Sequence, residues 1–237
     1  MSRTIRFILA VTLCSALLMA GEPWKSKNYT QWTKDDVTQI LEDSPWAASV
    51  RVQPTWTSSS NPLLDSSPTR DRNIFSAPAA RKDTTEDPRL SGVVFHIVWQ
   101  SSRTVRQAQA RSVVLAGKGK PEEAEKYVNQ QPADYEVAID GEDMTPFRNT
   151  EPAELRAGTA LTPKSSKRPI APTRVVLIPD ARGYLGMAIF TFPKTEGGQP
   201  TIPPGEKRVE FTCKLAKNVL RANFDLTKMM SREGADF

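Results

Sequence analysis

The sequence predicts an α+β protein with a mixed, mainly antiparallel sheet, crossover helices and a tethered short N-terminal helix. Apolar residues recur at every second position in several segments, and two pairs of such segments are separated by short turns typical of hairpins. Two helix-patterned segments lie between two strand-patterned ones, which is typical of a crossover connection. A short segment near the N terminus carries a helix-capping pattern.

The first twenty residues have the three parts of a secretory signal peptide. Arg3 and Arg6 precede the apolar run Phe7–Met19, and Ala20 offers a small residue for cleavage. An apolar run of 13 residues is short for a membrane helix, which needs about 20 residues. We therefore expect residues 1–20 to be removed and the protein to be exported to the periplasm, the envelope or the extracellular space, with no transmembrane span in the mature chain.

A short helix is predicted from Trp32 to Leu41. Thr33 fits the N-cap position, and Asp36 three residues later completes a capping box. Pro45 ends the helix, because the residue before a proline avoids the helical conformation. So short a helix is not stable alone, and we expect it to dock on the rest of the protein.

Composition divides the chain into four parts. The expected signal peptide, residues 1–20, is followed by an N-terminal helix segment, residues 21–52, that docks on the main domain. Residues 53–88 are rich in proline, serine and threonine and are predicted to form a linker. Residues 89–237 are predicted to form the α+β main domain.

The main domain contains both strand and helix patterns. Its clearest strand is Ser91–Gln100, which is apolar on both faces and is therefore predicted to be central and covered on both sides. The other predicted elements are helices at Arg103–Ala116, Pro121–Gln130 and Glu151–Leu161, a strand at Tyr135–Asp140, and hairpins that pair Arg174–Ile178 with Tyr184–Phe192 and Arg208–Leu215 with Val219–Leu226. The predicted apolar face of the first helix consists of Val105, Ala108, Ser112 and Leu115.

The N-terminal helix belongs to a longer box. Residues 32–47 read W-T-x-x-D-V-x-x-I-L-x-x-S-P-W-A, and the C-terminal region carries the apolar residues Val209, Phe211, Phe224 and Leu226. Together these patterns resemble a group of exported bacterial proteins of acidobacterial type. The group has no assigned activity and no catalytic residues, so the resemblance implies export and the layout of the chain but no chemistry.

The net charge argues against a nucleic-acid partner. The whole chain has 32 basic and 27 acidic residues, a net charge of +5. Two arginines belong to the expected signal peptide, so the mature chain has 30 basic and 27 acidic residues and a net charge of only +3. So weak a positive charge does not indicate binding to a phosphate backbone.

The two cysteines limit how the exported protein is stabilised. Cys14 lies within the expected signal peptide, so Cys213 is the only cysteine of the mature chain. An intramolecular disulfide is therefore excluded, and the hydrophobic core must supply the stability. Cys213 alternates with Phe211 and Leu215, so we expect a thiol packed on the buried face of a strand.

The chain offers few residues for catalysis or metal binding. His96 is the only histidine, which excludes a metal site built from several histidines. It lies in a predicted strand between Val94 and Val98, so a packed imidazole is expected. No G-x-S-x-G elbow is present, although composition leaves a Ser-His-Asp site open. We predict no cofactor, no metal site and no catalytic residues.

Basic residues cluster around the first long helix. We interpret Arg103, Arg106, Arg111, Lys118 and Lys120 as a solvated helix face rather than a nucleic-acid site. Within this region, the stretch A-G-K-G-K-P at residues 116–121 superficially suggests phosphate binding. It lacks the P-loop pattern, and its proline removes an N–H where the next helix begins.

Four tryptophans crowd the N-terminal quarter of the chain: Trp24, Trp32, Trp46 and Trp56. We expect this segment to dock on its own sheet, with Trp32 and Trp46 clamping the short helix onto the C-terminal sheet. The alternative is that exposed rings stack on sugars or fill a pocket of a partner. Under that alternative, the ligand-binding candidates are Trp24, Trp46 and Trp56.

The sequence therefore predicts an exported, non-enzymatic binding or structural protein whose partner lies in the envelope or the extracellular space. One alternative is a hydrolase that acts on a polysaccharide or peptide, and another is a carbohydrate-binding module that uses the tryptophans. Acid pairs bridging a cleft would favour the enzyme, and an exposed coplanar tryptophan pair would favour sugar binding. A large exposed apolar patch or a bare sheet edge would favour protein interaction.

Overall fold

The structure is a computed structural model that describes residues 21–53, 92–215 and 217–237. The predicted signal peptide and the predicted linker, apart from Gln53, lie outside the described residues. Trp56 lies outside them as well.

The described residues form short helices and two main groups of strands. The helices are α1 (Pro23–Ser26), α2 (Lys34–Glu42), α3 (Arg103–Leu115), α4 (Pro121–Asn129), α5 (Thr145–Arg148) and α6 (Pro152–Ala157). The strands are β1 (Ala47–Val52), β2 (Val93–Trp99), β3 (Tyr135–Gly141), β4 (Thr159–Pro163), β5 (Arg174–Pro179), β6 (Leu185–Phe192), β7 (Thr195–Glu196), β8 (Gln199–Pro200), β9 (Arg208–Leu215), β10 (Asn218–Asp225), β11 (Met230–Ser231) and β12 (Gly234–Ala235).

The strands confirm the predicted α+β class with a mainly antiparallel sheet. A five-stranded sheet has the order β1-β2-β3-β6-β5, and a three-stranded sheet has the order β10-β9-β4. Every named strand pair within the described residues is antiparallel. Helices α3 and α4 lie between β2 and β3 in the chain, as expected, but they join antiparallel neighbours instead of crossing over to a parallel strand. Both predicted hairpins, β5–β6 and β9–β10, are confirmed.

The core lies between the two sheets. Alternate residues of β2, β3 and β6 are fully buried on the inner face of the five-stranded sheet, and aromatic rings bridge to the three-stranded sheet. Trp99 of β2 meets Phe224 of β10 edge to face at 5.1 Å between ring centroids, and Phe190 of β6 meets Phe211 of β9 at 5.9 Å. Such pairs add stability beyond the area they bury. Cys213 is buried in this core, which confirms the predicted packed thiol.

The outer face of the five-stranded sheet is covered unevenly. Val98 of β2 is buried on this face, whereas Val94 and His96 are only half-buried. At the carboxyl end of β2, Gln100 exchanges hydrogen bonds with Gln109 of α3. The strand predicted to be covered on both sides is therefore fully covered only towards its carboxyl end.

The N-terminal helix forms as its local sequence predicts. The Thr33 hydroxyl accepts a hydrogen bond from the Asp36 N–H, and the Asp36 carboxylate accepts one from the Thr33 N–H, which confirms the capping box. The Lys27 ammonium also donates to Asp36 at 2.8 Å. Burial opposes ionisation of Asp36, but these hydrogen bonds outweigh it and lower the pKa of the carboxyl. Trp32, which precedes the cap, and Val37 of α2 are both buried.

Two predictions about the helices were wrong in part. The helix predicted at 151–161 ends at Ala157, because Thr159–Pro163 pairs with β9 as the strand β4. In α3, Ser112 and Leu115 are exposed although they share a helical stripe with Val105 and Ala108. The buried residues of α3 end at Ala110, so the second half of the helix is the less covered one.

A carboxylate stabilises the start of β9. Glu206 accepts hydrogen bonds from the backbone N–H groups of Ser165, Lys207 and Arg208 at 2.9–3.1 Å, and from the Ser165 hydroxyl. Slight burial opposes ionisation, but the hydrogen bonds outweigh it and lower the pKa of Glu206 to about 2. The ionised carboxylate thus holds the turn after β4 against the strand that β4 pairs with.

Glu206→Gln should be less stable than the wild type at neutral pH. Because the folded-state pKa lies below the ordinary value of 4.5, the stabilisation is present above pH 4.5 and is lost as the pH falls towards 2. Urea unfolding between pH 3 and pH 7 should show the gap between variant and wild type narrowing at the acid end. Glu125→Gln, at an exposed position on α4, is the control, and a gap that stays constant with pH would contradict this role of Glu206.

Candidate functional site

A cavity of about 320 Å³ lies where the N-terminal segment, the start of α3 and the β11–β12 hairpin meet. We name it the terminal cavity, and its lining includes Trp24, Tyr29, Trp32, Arg103, Gln107 and Arg232. Small-molecule sites are commonly about 300–1,000 Å³, so this one has the size for a single small ligand.

The N-terminal wall of the terminal cavity is built by local hydrogen bonds. The Asn28 side chain accepts a hydrogen bond from the Thr30 N–H and caps the 3₁₀ turn Tyr29–Gln31. The Trp32 indole donates to the carbonyl of Pro23 at 3.3 Å, which joins this turn to α1. The Tyr29 ring lies edge-on to Trp32 with 6.3 Å between centroids and is half-buried.

Among the tryptophans proposed from the sequence as ligand-binding residues, the structure buries both that it describes. Trp24 is 4% exposed and Trp46 is 0% exposed. Their rings are perpendicular, with centroids 5.5 Å apart, and the Trp46 indole donates to the Asp236 carbonyl at 2.6 Å. The coplanar exposed pair that would favour stacking on a sugar is therefore absent at Trp24 and Trp46, although Trp24 lines the terminal cavity.

The inner wall of the terminal cavity is the start of α3. The carboxylate of Asp236 accepts hydrogen bonds from the N–H groups of Arg103 and Thr104 at 2.6 and 2.7 Å. The Ser102 hydroxyl accepts another from the Val105 N–H. A carboxylate is favourable at this positive end of the helix dipole, and it leaves these N–H groups already satisfied.

Two buried N–H groups of the cavity residues have no acceptor within the part of the chain that the structure describes. The Trp24 Nε1 and the Arg103 Nε are buried and form no hydrogen bond with any described residue. Most buried polar atoms in proteins are hydrogen-bonded, so such donors need an explanation. Both side chains line the terminal cavity, and a ligand acceptor would satisfy either donor once a side-chain movement opens its N–H to the cavity.

The charges around the terminal cavity also favour an acceptor-rich ligand. Arg103 pairs with Glu233, and Lys27 pairs with Asp36, but Arg232 forms no ion pair with a described residue. The rim therefore has one cation, on the β11–β12 turn, that is available for an anionic group.

A second group of polar side chains lies on the outer face of the five-stranded sheet. The register of β1, β2 and β3 places Ser49, His96 and Asp140 side by side. The Ser49 hydroxyl and the His96 Nδ1 are 3.0 Å apart. Burial raises the pKa of Asp140, and the nearby His96 partly offsets this rise. His96 is thus hydrogen-bonded, as expected of a packed imidazole, but its side chain is only half-buried.

This row has the residue types of a serine hydrolase but not the arrangement. In such enzymes the imidazole Nε2 contacts the serine while Nδ1 contacts the carboxylate, whereas here Nδ1 contacts Ser49. No hydrogen bond joins His96 to Asp140 among the described contacts. The row was not predicted because strand register, which brings residues 49, 96 and 140 together, cannot be read from sequence separation.

The basic residues of α3 do not form a single solvated face. Arg106 is 7% exposed, and its guanidinium donates to the carbonyls of Val128, at 2.6 Å, and Gln130 at the end of α4. Burial lowers the pKa of Arg106, while Tyr127 acts in the opposite direction. Arg111 donates to the Trp32 carbonyl at 2.9 Å. These two arginines therefore bind helix ends of the protein itself, which corrects the prediction of a solvated basic face.

Other chemistries find little support among the described residues. Burial raises the pKa of Cys213 to about 12, so its thiol is not an activated nucleophile. No group of three or more metal-ligating His, Cys, Asp or Glu residues is found in the described ranges. Within the same ranges, none of the helices combines the length and the hydropathy needed to cross a bilayer.

Comparisons with known proteins give no match: no protein-family model, no curated protein and no solved structure is similar to this chain. The resemblance of the N-terminal box to exported acidobacterial proteins therefore stays a prediction.

Proposed function

We propose that this is an exported, non-enzymatic binding protein and that the terminal cavity is its ligand site. The observation that carries the proposal is the pair of buried N–H groups, from Trp24 and Arg103, that have no acceptor among the described residues. An unpaired buried donor costs free energy, and a ligand acceptor in the cavity removes that cost. Export is supported by the signal-peptide pattern of residues 1–20.

The lining favours a sugar acid as the ligand. The side chains of Asn28, Thr104 and Gln107 can exchange hydrogen bonds with hydroxyl groups, and Arg232 can pair with a carboxylate. The half-buried ring of Tyr29 offers an apolar surface to the carbon face of a sugar ring. The natural partner would then be an envelope or extracellular polysaccharide that contains uronic acids.

Isothermal titration with D-galacturonic acid and D-galactose tests this proposal. The wild type should bind the acid at least about tenfold more tightly, because a hydrogen bond to a charged group contributes about 1.5–3 kcal/mol. Arg232→Ala should remove the preference and leave the affinity for galactose unchanged. Arg182→Ala, on the exposed β5–β6 turn, is the matched control and should behave as the wild type.

A pair of tryptophan variants tests the role of the Trp24 indole N–H. Trp24→Phe and Trp99→Phe each remove an indole N–H that has no partner among the described residues, but only Trp24 lines the terminal cavity. Trp24→Phe should weaken galacturonate binding about tenfold, and Trp99→Phe should leave it unchanged. The proposal fails if the wild type does not bind galacturonate at millimolar concentration, or if both variants bind it as well as the wild type.

The hydrogen bond between Ser49 and His96 is the one observation that favours a hydrolase instead. Under our proposal, p-nitrophenyl acetate is not turned over above the background rate, and Ser49→Ala changes nothing in this assay. Turnover that disappears in both Ser49→Ala and His96→Ala would replace binding with hydrolysis as the function.

A further inference from the structure

A second concave surface lies between the end of α3 and the start of α4, away from the terminal cavity. We name it the α3–α4 groove; it encloses about 400 Å³ and is lined mainly by Ala110, Val113, Val114, Ala124 and Tyr127. Val113, in the middle of this lining, is 46% exposed. A mainly apolar lining that includes so exposed a valine favours an apolar occupant.

The polar groups at the inner end of the α3–α4 groove are already satisfied within the protein. The Tyr127 hydroxyl donates to Gln109 at 2.9 Å. Gln109 and Gln100 exchange two amide hydrogen bonds at 2.7 and 2.9 Å. The inner end therefore needs no polar partner, and a polar ligand would gain little by entering it.

The mouth of the α3–α4 groove is basic and held in place. Lys118 and Lys120 line it and form no ion pair with a described residue, while Glu123 supplies the one opposing charge in the lining. The Lys118 N–H donates to the Val113 carbonyl at 3.0 Å. A Cβ at Gly119 would lie only 2.7 Å from Val113 Cγ1, so the glycine allows the loop to lie against the helix.

We propose that the α3–α4 groove binds one fatty acid, with its acyl chain along the aliphatic side chains and its carboxylate at Lys118 and Lys120. The apolar wall and the basic mouth match the two ends of that ligand. This explains the exposed Val113 of α3, which neither the sheets nor the terminal cavity buries. The inference is independent of the ligand proposed for the terminal cavity.

Titration calorimetry with sodium dodecanoate, below its critical micelle concentration, tests the inference. The wild type should bind one dodecanoate per chain. Butyrate should bind at least about 100-fold more weakly, because each buried methylene contributes about 0.8 kcal/mol. Dodecyltrimethylammonium, which has the same tail and the opposite charge, should bind at least about tenfold more weakly than dodecanoate.

Two variants and their matched controls locate the binding. Val113→Asp should abolish dodecanoate binding, whereas Val219→Asp, at a 38% exposed valine on β10, should not. The double variant Lys118→Glu/Lys120→Glu should prefer the cationic detergent, whereas Arg148→Glu/Arg182→Glu, with the same change in charge, should keep the wild-type preference. Circular dichroism and melting curves establish that each variant is folded.

Three results would overturn the inference. The first is no binding of dodecanoate by the wild type, and the second is binding that Val113→Asp leaves intact. The third is a wild-type dimer, seen by sedimentation without any ligand, that Val113→Asp dissociates. That last result would make the groove an interface between two copies of the chain.

Discussion

Replacing Trp46 with alanine should lower the free energy of unfolding by about 3–5 kcal/mol. The side chain is fully buried, lies edge-on to Trp24, and donates a 2.6 Å hydrogen bond to the Asp236 carbonyl. The substitution therefore removes a large buried ring, leaves a cavity and deprives the Asp236 carbonyl of this hydrogen bond. The substitution also removes a hydrogen bond between the segment before β1 and the C-terminal tail. The two residues that form it, Trp46 and Asp236, are 190 residues apart in sequence.

Urea unfolding of Trp46→Ala and Trp46→Phe separates these contributions. Trp46→Phe keeps most of the aromatic surface but loses the indole hydrogen bond. Its free energy of unfolding should therefore fall by less, about 1–2 kcal/mol. An unchanged stability in Trp46→Ala would mean that the ring is not part of the core. The sequence-based alternative, in which Trp46 is exposed to bind a ligand, would then be favoured.

Replacing Asp236 with alanine should lower the free energy of unfolding by about 2 kcal/mol. Its carboxylate accepts hydrogen bonds from the first two N–H groups of α3, at Arg103 and Thr104. The negative charge is also favourable at the positive end of the helix dipole. The backbone carbonyl that binds Trp46 is unaffected, so the variant reports on the side chain alone.

Asp236→Asn is the matched variant, since it keeps one acceptor oxygen and loses the charge. Its melting temperature and its free energy of unfolding in urea should lie between those of the wild type and Asp236→Ala. If Asp236→Ala is as stable as the wild type, the carboxylate does not hold the start of α3, and the inner wall of the terminal cavity is not built as described.

The elements that the sequence predicts well are those decided by neighbours in the chain. Thr33 and Asp36 form their capping box within a single turn, and the β9–β10 hairpin follows from alternation on both sides of a short turn. Residues 159–161 were predicted as helix because their pairing with β9 depends on residues about 50 positions away. The antiparallel pairing of β2 with β3 likewise depends on register and not on local pattern.

The candidate site was predicted only in part, for the same reason. The tryptophans were recognised as a cluster, but the sequence does not separate Trp46, which is in the core, from Trp24, which also lines a cavity. Arg103 and Arg232 come to the same cavity from positions more than 100 residues apart. No sequence pattern predicts that a buried N–H group lacks an acceptor, because this depends on which residues surround it in the folded protein.

The indole N–H of Trp24 gives the most direct test of the terminal cavity as a ligand site. In ¹H–¹⁵N spectra, its resonance, assigned by its loss in Trp24→Phe, should move downfield as galacturonic acid is added, because a ligand oxygen then accepts its hydrogen bond. The indole N–H of Trp99 also has no partner among the described residues but lies outside the cavity, so its resonance should stay in place. A Trp24 resonance that does not move at saturating galacturonic acid, or that moves together with Trp99, would contradict the account.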